Sequence, residues 1–384
     1  MAMTAKGRAM RAAGIPVISL TIGEPDFASP PHAIEAAHQA ALRGETKYTP
    51  QDGVPALKQA IQRKFKRDSG LDYAMDEITV SAGGKQVIFN ALMATIDEGD
   101  EVVIPAPYWG AYPLTVLLAG GVPVAVNCPE NNGFKLRPED LEAAITPRTK
   151  WLILNFPNNP TGAACSAEEM AALGEVMLRH PHVWIMCDDM YEHLVFDGFQ
   201  HATMAAVVPA LKDRTLTLCG VSKTYAMTGW RVGYAGGPKN LVKAMVTMQG
   251  HSTAGVSGVT QAAAVAALDG PQDSVAVQAD AYRRRRDLVV DALNKAPGIR
   301  CHRPEGAFYV YPNIAGCIGK TTPGGKRLET DEDFALALLE EKHVALVHGA
   351  AFGMSPYLRI SYATDDASLT EACARIQAFC SELT

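Results

Sequence analysis

Through the first two thirds of the chain, short unbroken apolar runs alternate with longer stretches in which apolar positions return every three or four residues. The runs 17–22, 101–104, 122–126, 151–155, 183–187 and 215–219, with Ile78–Ser81, predict buried strands. The stretches 31–43, 54–67, 85–96, 138–145 and 167–179 predict helices. Strands apolar on both faces, alternating with helices, imply a mainly parallel sheet covered on both sides. After Gly270 the rhythm changes. A long helix over 273–295, a strand over 307–311, a helix at Asp331–Lys342, strands at 344–347 and 357–361 and a last helix over 366–383 predict a smaller α+β unit. In open α/β sheets, ligands bind beyond the carboxyl ends of the strands, so the chemistry is expected there.

Composition narrows the classes. The 384 residues are 48% hydrophobic and 20% charged, enough for a large core and unlike a disordered chain. A net charge of −6 argues against a nucleic-acid partner. No apolar run approaches the ~20 residues of a membrane span, and the first fourteen residues lack the apolar stretch of a secretory signal. The eight cysteines form no Cys-x-x-Cys pair and stand at no metal-ligand spacing with histidine. Free thiols in a reducing cytoplasm are the reading, with no metal site.

One strand end carries a candidate nucleophile. Ser222-Lys223-Thr224-Tyr225-Ala226-Met227-Thr228-Gly229-Trp230-Arg231 follows the strand that ends near Cys219. A lysine in a turn of small residues, with an arginine eight residues on, suits a Schiff base beside an anion site. Such an amine reacts only when neutral. The segment Gly220-Val221-Ser222-Lys223, continuing to Gly229-Trp230-Arg231-Val232-Gly233, resembles the pyridoxal-phosphate attachment signature of the class I aminotransferases. The resemblance spans nearly the whole chain, through Gly23-Glu24-Pro25-Asp26-Phe27, Lys47-Tyr48-Thr49-Pro50, Gly83-Gly84-Lys85-Gln86, Pro107-Tyr108-Trp109, Pro157-Asn158-Asn159-Pro160-Thr161-Gly162, Asp188-Asp189-Met190-Tyr191 and Leu358-Arg359-Ile360-Ser361-Tyr362. It looks most like the bacterial aspartate aminotransferases, in particular the subgroup that also accepts prephenate.

The resemblance implies an α/β, fold-type I pyridoxal 5'-phosphate-dependent transferase: a large domain at 29–281 with a mainly parallel sheet, and a smaller α+β domain made of 1–28 and 282–384. It implies a cytoplasmic homodimer with shared active sites, acting on amino acids and 2-oxo acids. Lys223 is then the Schiff-base lysine and proton shuttle, and Asp188 the acid that keeps the cofactor's ring nitrogen protonated. Tyr191 and Asn159 match donors to the cofactor's phenolic oxygen, and Trp109 the aromatic stacked on its ring. Gly83, Gly84 and Lys85 open a helix whose amides suit a phosphate, with Arg231 as its bidentate partner. Gly220 stands where many relatives carry a serine that contacts the phosphate, a contact expected to be either lost here or replaced by Ser222. Arg359 matches the arginine that grips the substrate α-carboxylate, and Gly23 the backbone that closes over it. Tyr48 matches a tyrosine that reaches the phosphate in the neighbouring subunit. Lys85 doubles as a partner for a distal carboxylate. Asp189 is expected to be solvated or ion-paired. Relatives carry a longer arm before the segment matching Met3–Arg11.

Other patterns fail on inspection. Gly319-Lys320-Thr321 lacks the first glycine of a P-loop, since Ile314 stands there. Arg283 to Arg286 point around a helix rather than along one face, so a solvated, ion-paired helix is expected. His180-Pro181-His182 has no third ligand nearby and reads as a surface turn. A lyase of the same fold would share Lys223 and Asp188 without needing Arg359. A cofactor-binding regulator would need a DNA-binding domain ahead of the matching segment, for which no room is expected.

Overall fold

The computed structural model describes residues 2–384. Helix Ala2–Ala12 leads into β1 (Ile18–Ser19), and β1 pairs in parallel with Val344–Ala345. The apolar run at 17–22 is therefore not a strand of the large sheet. Its hydrophobicity is satisfied by the second unit, where Val17 and Leu20 lie in a cluster with Leu338, Val344 and Phe379.

The large sheet has seven strands: β2 (Ile78–Ser81), β3 (Glu101–Ala106), β4 (Val122–Asn127), β5 (Thr149–Asn155), β6 (Trp184–Asp188), β7 (Thr215–Gly220) and β8 (Gly233–Gly236). Their order is β2–β8–β7–β6–β5–β3–β4. Strands β3 to β7 run parallel, and β8 lies antiparallel between β7 and β2. The middle strands are apolar on both faces because both are covered. Trp151, Leu152, Ile153 and Leu154 of β5 are at most 1% exposed, and each such side chain stabilises the fold by roughly 1.5–3 kcal/mol. Edge strand β4 is partly open, as its mixed Val-Pro-Val-Ala-Val-Asn sequence allows. Helix Ala167–Arg179 begins with a capping box, Ser166 accepting from the Glu169 amide while Glu169 accepts from the Ser166 amide.

The second unit holds β9 (Tyr309–Val310), β10 (Val344–Ala345), β11 (Val347–His348) and β12 (Leu358–Ser361), with β12 antiparallel between β11 and β9. Helix Asp273–Leu293 runs between the two units. Val275 packs on the large-sheet side, while Tyr282, Val289 and Leu293 belong to the second cluster. Its arginine run is only half solvated: Arg283 pairs with Asp280 at the surface, but Arg286 is 1% exposed between Asp197 and Asp287. His180 and His182 bond Glu142 and the Thr146 carbonyl in a turn ahead of β6. All eight cysteines are free and buried. No helix among the described residues is long and apolar enough to cross a membrane.

Candidate active site

Three neighbouring parallel strands end side by side at one cavity of about 370 Å³, lined by the last residues of β5 and β6 and by residues just after β7. Asn155 at the end of β5 stands in register with Asp188 at the end of β6, and its side-chain amide donates to the Asp188 carbonyl at 2.8 Å. Strand β7 runs straight into the short helix Val221–Thr224, which carries Ser222 and Lys223 into the same space. From the second unit come Gly23, Tyr309 and Arg359. The site thus lies where parallel strands end and where the two units meet.

Asp188 is buried with one oxygen accepting from the Tyr112 hydroxyl at 2.7 Å and the other from the Met190 amide at 3.3 Å. Burial pushes its carboxyl up to about 6 against those donors. Lys223 donates to the Gly23 carbonyl. Burial lowers its ammonium to about 8, with Glu24 opposing and Arg359 and Arg231 assisting. The site therefore holds an amine partly neutral near pH 8 beside an acid that favours a cationic partner. Those are the conditions for carbonyl–amine chemistry.

The phosphate-type end is built from backbone. Helix Gly84–Met93 starts after Gly83, whose φ is +90°. A Cβ on Gly83 would stand 2.3 Å from an Arg231 nitrogen, and one on Gly233 would stand 2.3 Å from the Gly84 amide nitrogen. The glycines thus let β8, the helix start and the guanidinium close on one another and leave amides free for an anion. Arg231 has a φ of 55°, left-handed and uncommon for a side-chain-bearing residue, and it donates to the Thr228 and Ala82 carbonyls at 2.8 and 3.1 Å. Ser222 is buried on the cavity wall.

Arg359, in the middle of β12, is 8% exposed. It donates to Asn159 Oδ1 at 3.0 Å and to the Thr21 carbonyl, and its ring neighbours Tyr309 and Phe352 both lie 4.9 Å from the guanidinium. Its Nε is buried with no partner among the described residues. A buried guanidinium with no carboxylate beside it is expensive, and a bound carboxylate removes that cost. Because Asn159 Oδ1 is taken by Arg359, the Asn159 amide nitrogen is what a ligand meets. Trp109 packs edge-on to Tyr112 with centroids 5.5 Å apart, and Lys85 Nζ stands 4.9 Å over the Trp109 ring, on the cavity wall. Tyr191 is buried, with its hydroxyl 2.9 Å from that of Tyr309.

The cavity accordingly brings together Gly23, Gly84, Lys85, Trp109, Asn159, Asp188, Tyr191, Ser222, Lys223, Arg231 and Arg359, with Gly83 immediately behind Arg231. Tyr48 is not among them; it is fully exposed beside a separate groove of about 600 Å³. Asp189 is not solvated: it is 3% exposed and lies 3.6 Å from His201. Burial disfavours the imidazolium of His201, but Asp189 outweighs it and the His201 pKa is raised. Asp68, Glu192 and His193 bring their ligand atoms within 4.8 Å of one another, but the Lys64 ammonium fills the cluster, 2.5 Å from Glu192. Sequence reasoning missed Tyr112, Asn155 and Tyr309. Their chain signal is weak, since a tyrosine in an apolar segment reads as core.

Fold and site define an enzyme of one class, and the profile described as "Aminotransferase class I and II" matches residues 15–376. The chain belongs to that family. It is 60% identical over 383 residues to a protein of Cereibacter sphaeroides named aspartate/prephenate aminotransferase, covering all of this chain and 96% of that one. Among solved structures it resembles the aspartate aminotransferase of Rhizobium meliloti, with a TM-score of 0.97 at 55% identity over 100% of this chain and 96% of that one. It also resembles the aspartate aminotransferase of Thermus thermophilus with maleate, with a TM-score of 0.92 at 40% identity over 98% of this chain and 95% of that one.

Proposed function

We propose that the chain is a pyridoxal 5'-phosphate-dependent aminotransferase that moves an amino group between L-aspartate or L-glutamate and 2-oxo acids such as 2-oxoglutarate, with prephenate among the candidate acceptors. The observation that carries this reading is the meeting, in one cavity, of a lysine of lowered pKa, a buried aspartate, a glycine-opened helix start with Arg231, and an arginine lacking a carboxylate. These groups fit the cofactor's aldehyde, ring nitrogen and phosphate, and the substrate's α-carboxylate. When bound, pyridoxal phosphate supplies the carbonyl for amine exchange and a protonated ring that takes up the electron pair left at the substrate Cα.

The chain's own residues do the rest. Asp188, held by Tyr112, keeps a proton on the ring nitrogen. Asn159 and Tyr191 would donate to the phenolic oxygen, Trp109 would pack against the ring, and Gly83, Gly84, the Lys85 amide, Ser222 and Arg231 would hold the phosphate. Arg359, with the Gly23 backbone, orients the α-carboxylate so that the Cα proton faces Lys223. The neutral Lys223 amine would take that proton from the substrate Cα and hold it for return within the same site, serving as general base and acid. Lys85, at the mouth, reaches the second carboxylate of a dicarboxylic substrate. The names of the relatives, and the maleate in the Thermus thermophilus structure, are consistent with a dicarboxylate preference.

A cytoplasmic homodimer belongs to the same reading. Its support is Tyr48, entirely exposed beside a groove with Lys47, Pro50, Gly258 and Val265, where a partner subunit's cofactor phosphate would accept its hydroxyl. So does the division into a large domain at 29–281 and a small one at 1–28 and 282–384. The deciding experiment loads the protein with pyridoxal phosphate and adds aspartate, glutamate, tyrosine and alanine separately. Aspartate and glutamate should convert the visible cofactor band to that of the aminated cofactor, stoichiometrically and with release of the 2-oxo acid. Turnover without retained amine would indicate a lyase and overturn the reading.

A further inference from the structure

Two tyrosine hydroxyls meet inside the cavity, and only one of them has a proposed task. Tyr191 and Tyr309 are 5% and 0% exposed, with hydroxyl oxygens 2.9 Å apart and ring planes at 80°. Neither hydroxyl has another hydrogen-bond partner among the described residues. Two hydroxyls that share one hydrogen bond have two protons. One lies between the oxygens and the other points away from the pair. Which oxygen keeps the outward proton decides what the pair can do.

The surroundings of Tyr309 settle the direction. Its hydroxyl presses on Gly23, where an added Cβ would lie 2.2 Å from the oxygen. Its ring face carries the Arg359 guanidinium, 4.9 Å from the centroid, which is a donor and a cation. Tyr309 also lines the cavity, but it is 0% exposed against 5% for Tyr191, and among the described residues its hydroxyl has no acceptor in reach other than Tyr191. The Tyr191 ring is held edge-on by Phe308 and Tyr309, and Tyr191 is the more exposed of the two residues on the cavity wall.

Resting on the cofactor reading above, we infer that Tyr309 is a positioning residue whose hydroxyl donates to Tyr191 and so commits the Tyr191 proton to the phenolic oxygen of the bound cofactor. A chain of two hydroxyls is polarised in one direction, and each bond strengthens the next by a modest fraction. Tyr309 also accounts for Gly23 sterically: any side chain there would push the Tyr309 hydroxyl off its partner.

The test is a pH titration of the visible absorption of the pyridoxal-phosphate-loaded protein, which reports the Schiff base with Lys223 whatever the turnover. Tyr309→Phe keeps the ring, its stack on Arg359 and its packing, and deletes only the donor. With the donor gone, Tyr191 stabilises the anionic phenolic oxygen less well. The protonated form should then persist to higher pH, the midpoint rising by about 0.5 unit, against about 1–2 units for Tyr191→Phe. In the Tyr191→Phe background the Tyr309→Phe change should move the midpoint by nothing further, because the chain is already cut. An unchanged midpoint in Tyr309→Phe overturns the inference. So does an equal shift in both backgrounds, which would mean that Tyr309 acts on the ligand directly. If the wild-type protein shows no visible band at all, the cofactor reading fails instead, so the two failures are distinguishable.

Discussion

Asp188→Asn should make the cofactor-free protein more stable and the loaded protein almost inactive. In the free protein the Asp188 carboxyl is pushed from its ordinary 3.8 up to about 6 by burial, despite the Tyr112 and Met190 donors. For an acid raised in the folded state, the folded form binds the extra proton. The penalty is fully present above pH 6 and shrinks as the pH falls through 6 towards 3.8. A shift of about two units corresponds to about 3 kcal/mol. Asparagine keeps the shape and an acceptor for Tyr112 and removes the charge, while its NH2 group replaces the acceptor of the long Met190 N–H bond and offsets part of the gain. Above pH 7 the cofactor-free variant should therefore gain up to about 3 kcal/mol. For 384 residues, at about 2.1 cal/mol/K of unfolding entropy each, that is about 4 °C in Tm. The gain should halve near pH 5 and disappear near pH 4. Thermal melts of both cofactor-free proteins from pH 4 to 8 measure it. With cofactor the sign reverses, because the carboxylate's cationic partner is now present. Losing that buried pair costs roughly 3–5 kcal/mol, about 10²–10³·⁵ in the rate of Cα proton removal. A Tm difference that does not vary with pH, or a less stable variant at pH 8, would refute the argument. Asp189→Asn, whose charge is compensated by His201, should cost activity far less.

Three further outcomes are expected. Capture of pyridoxal phosphate by the cofactor-free protein should quicken about tenfold per pH unit below pH 8 and level off above it, because burial sets the Lys223 ammonium near 8 and only the neutral amine reacts; stopped-flow absorbance reads this directly. Lys223→Ala should abolish turnover yet leave the cofactor-free protein folded with a cooperative melt, and a borohydride-fixed label found on any other lysine of the wild type would contradict the assignment. Lys85→Ala should weaken aspartate and glutamate by about 1.5–3 kcal/mol and leave alanine nearly unchanged, whereas Arg359→Ala should weaken every donor alike; parallel kcat/KM measurements separate the two.

Much of this was legible in the chain because the site sits on strands and their ends. The runs at 151–155, 183–187 and 215–219 locate three adjacent strands of the sheet, and the residues that follow them line the cavity. Strand β8 was not legible. Its sequence, Gly-Tyr-Ala-Gly, is short, half glycine and without alternation, and it forms a strand only because β2 and β7 flank it. Helix Gly258–Asp269 was missed for a similar reason. It packs between Pro31–Leu42 and Pro55–Ser69, so its alanines and valines show no single apolar face. Periodicity alone grouped the run at 17–22 with the strands of the large sheet, whereas the resemblance placed it with the smaller unit it pairs with, because periodicity reports burial and not which element supplies the cover. Tyr112 and Tyr309 escaped because nothing local marks a tyrosine whose hydroxyl meets another polar group far along the chain.

The pairing of Ile18 with Val344 has a consequence for how the protein is made. A ribosome adds roughly 5–20 residues each second, so β1 waits for something between a quarter of a minute and a minute before its partner emerges. During that interval Val17 and Leu20, buried at the end, are uncovered. The Gly83–Gly84 bend is also incomplete until Gly233 arrives to close it. Biosynthesis thus exposes the nascent N-terminal segment to chaperones and proteases for most of translation. Truncations that stop before residue 344 should be degraded even when the entire seven-stranded sheet has been synthesised.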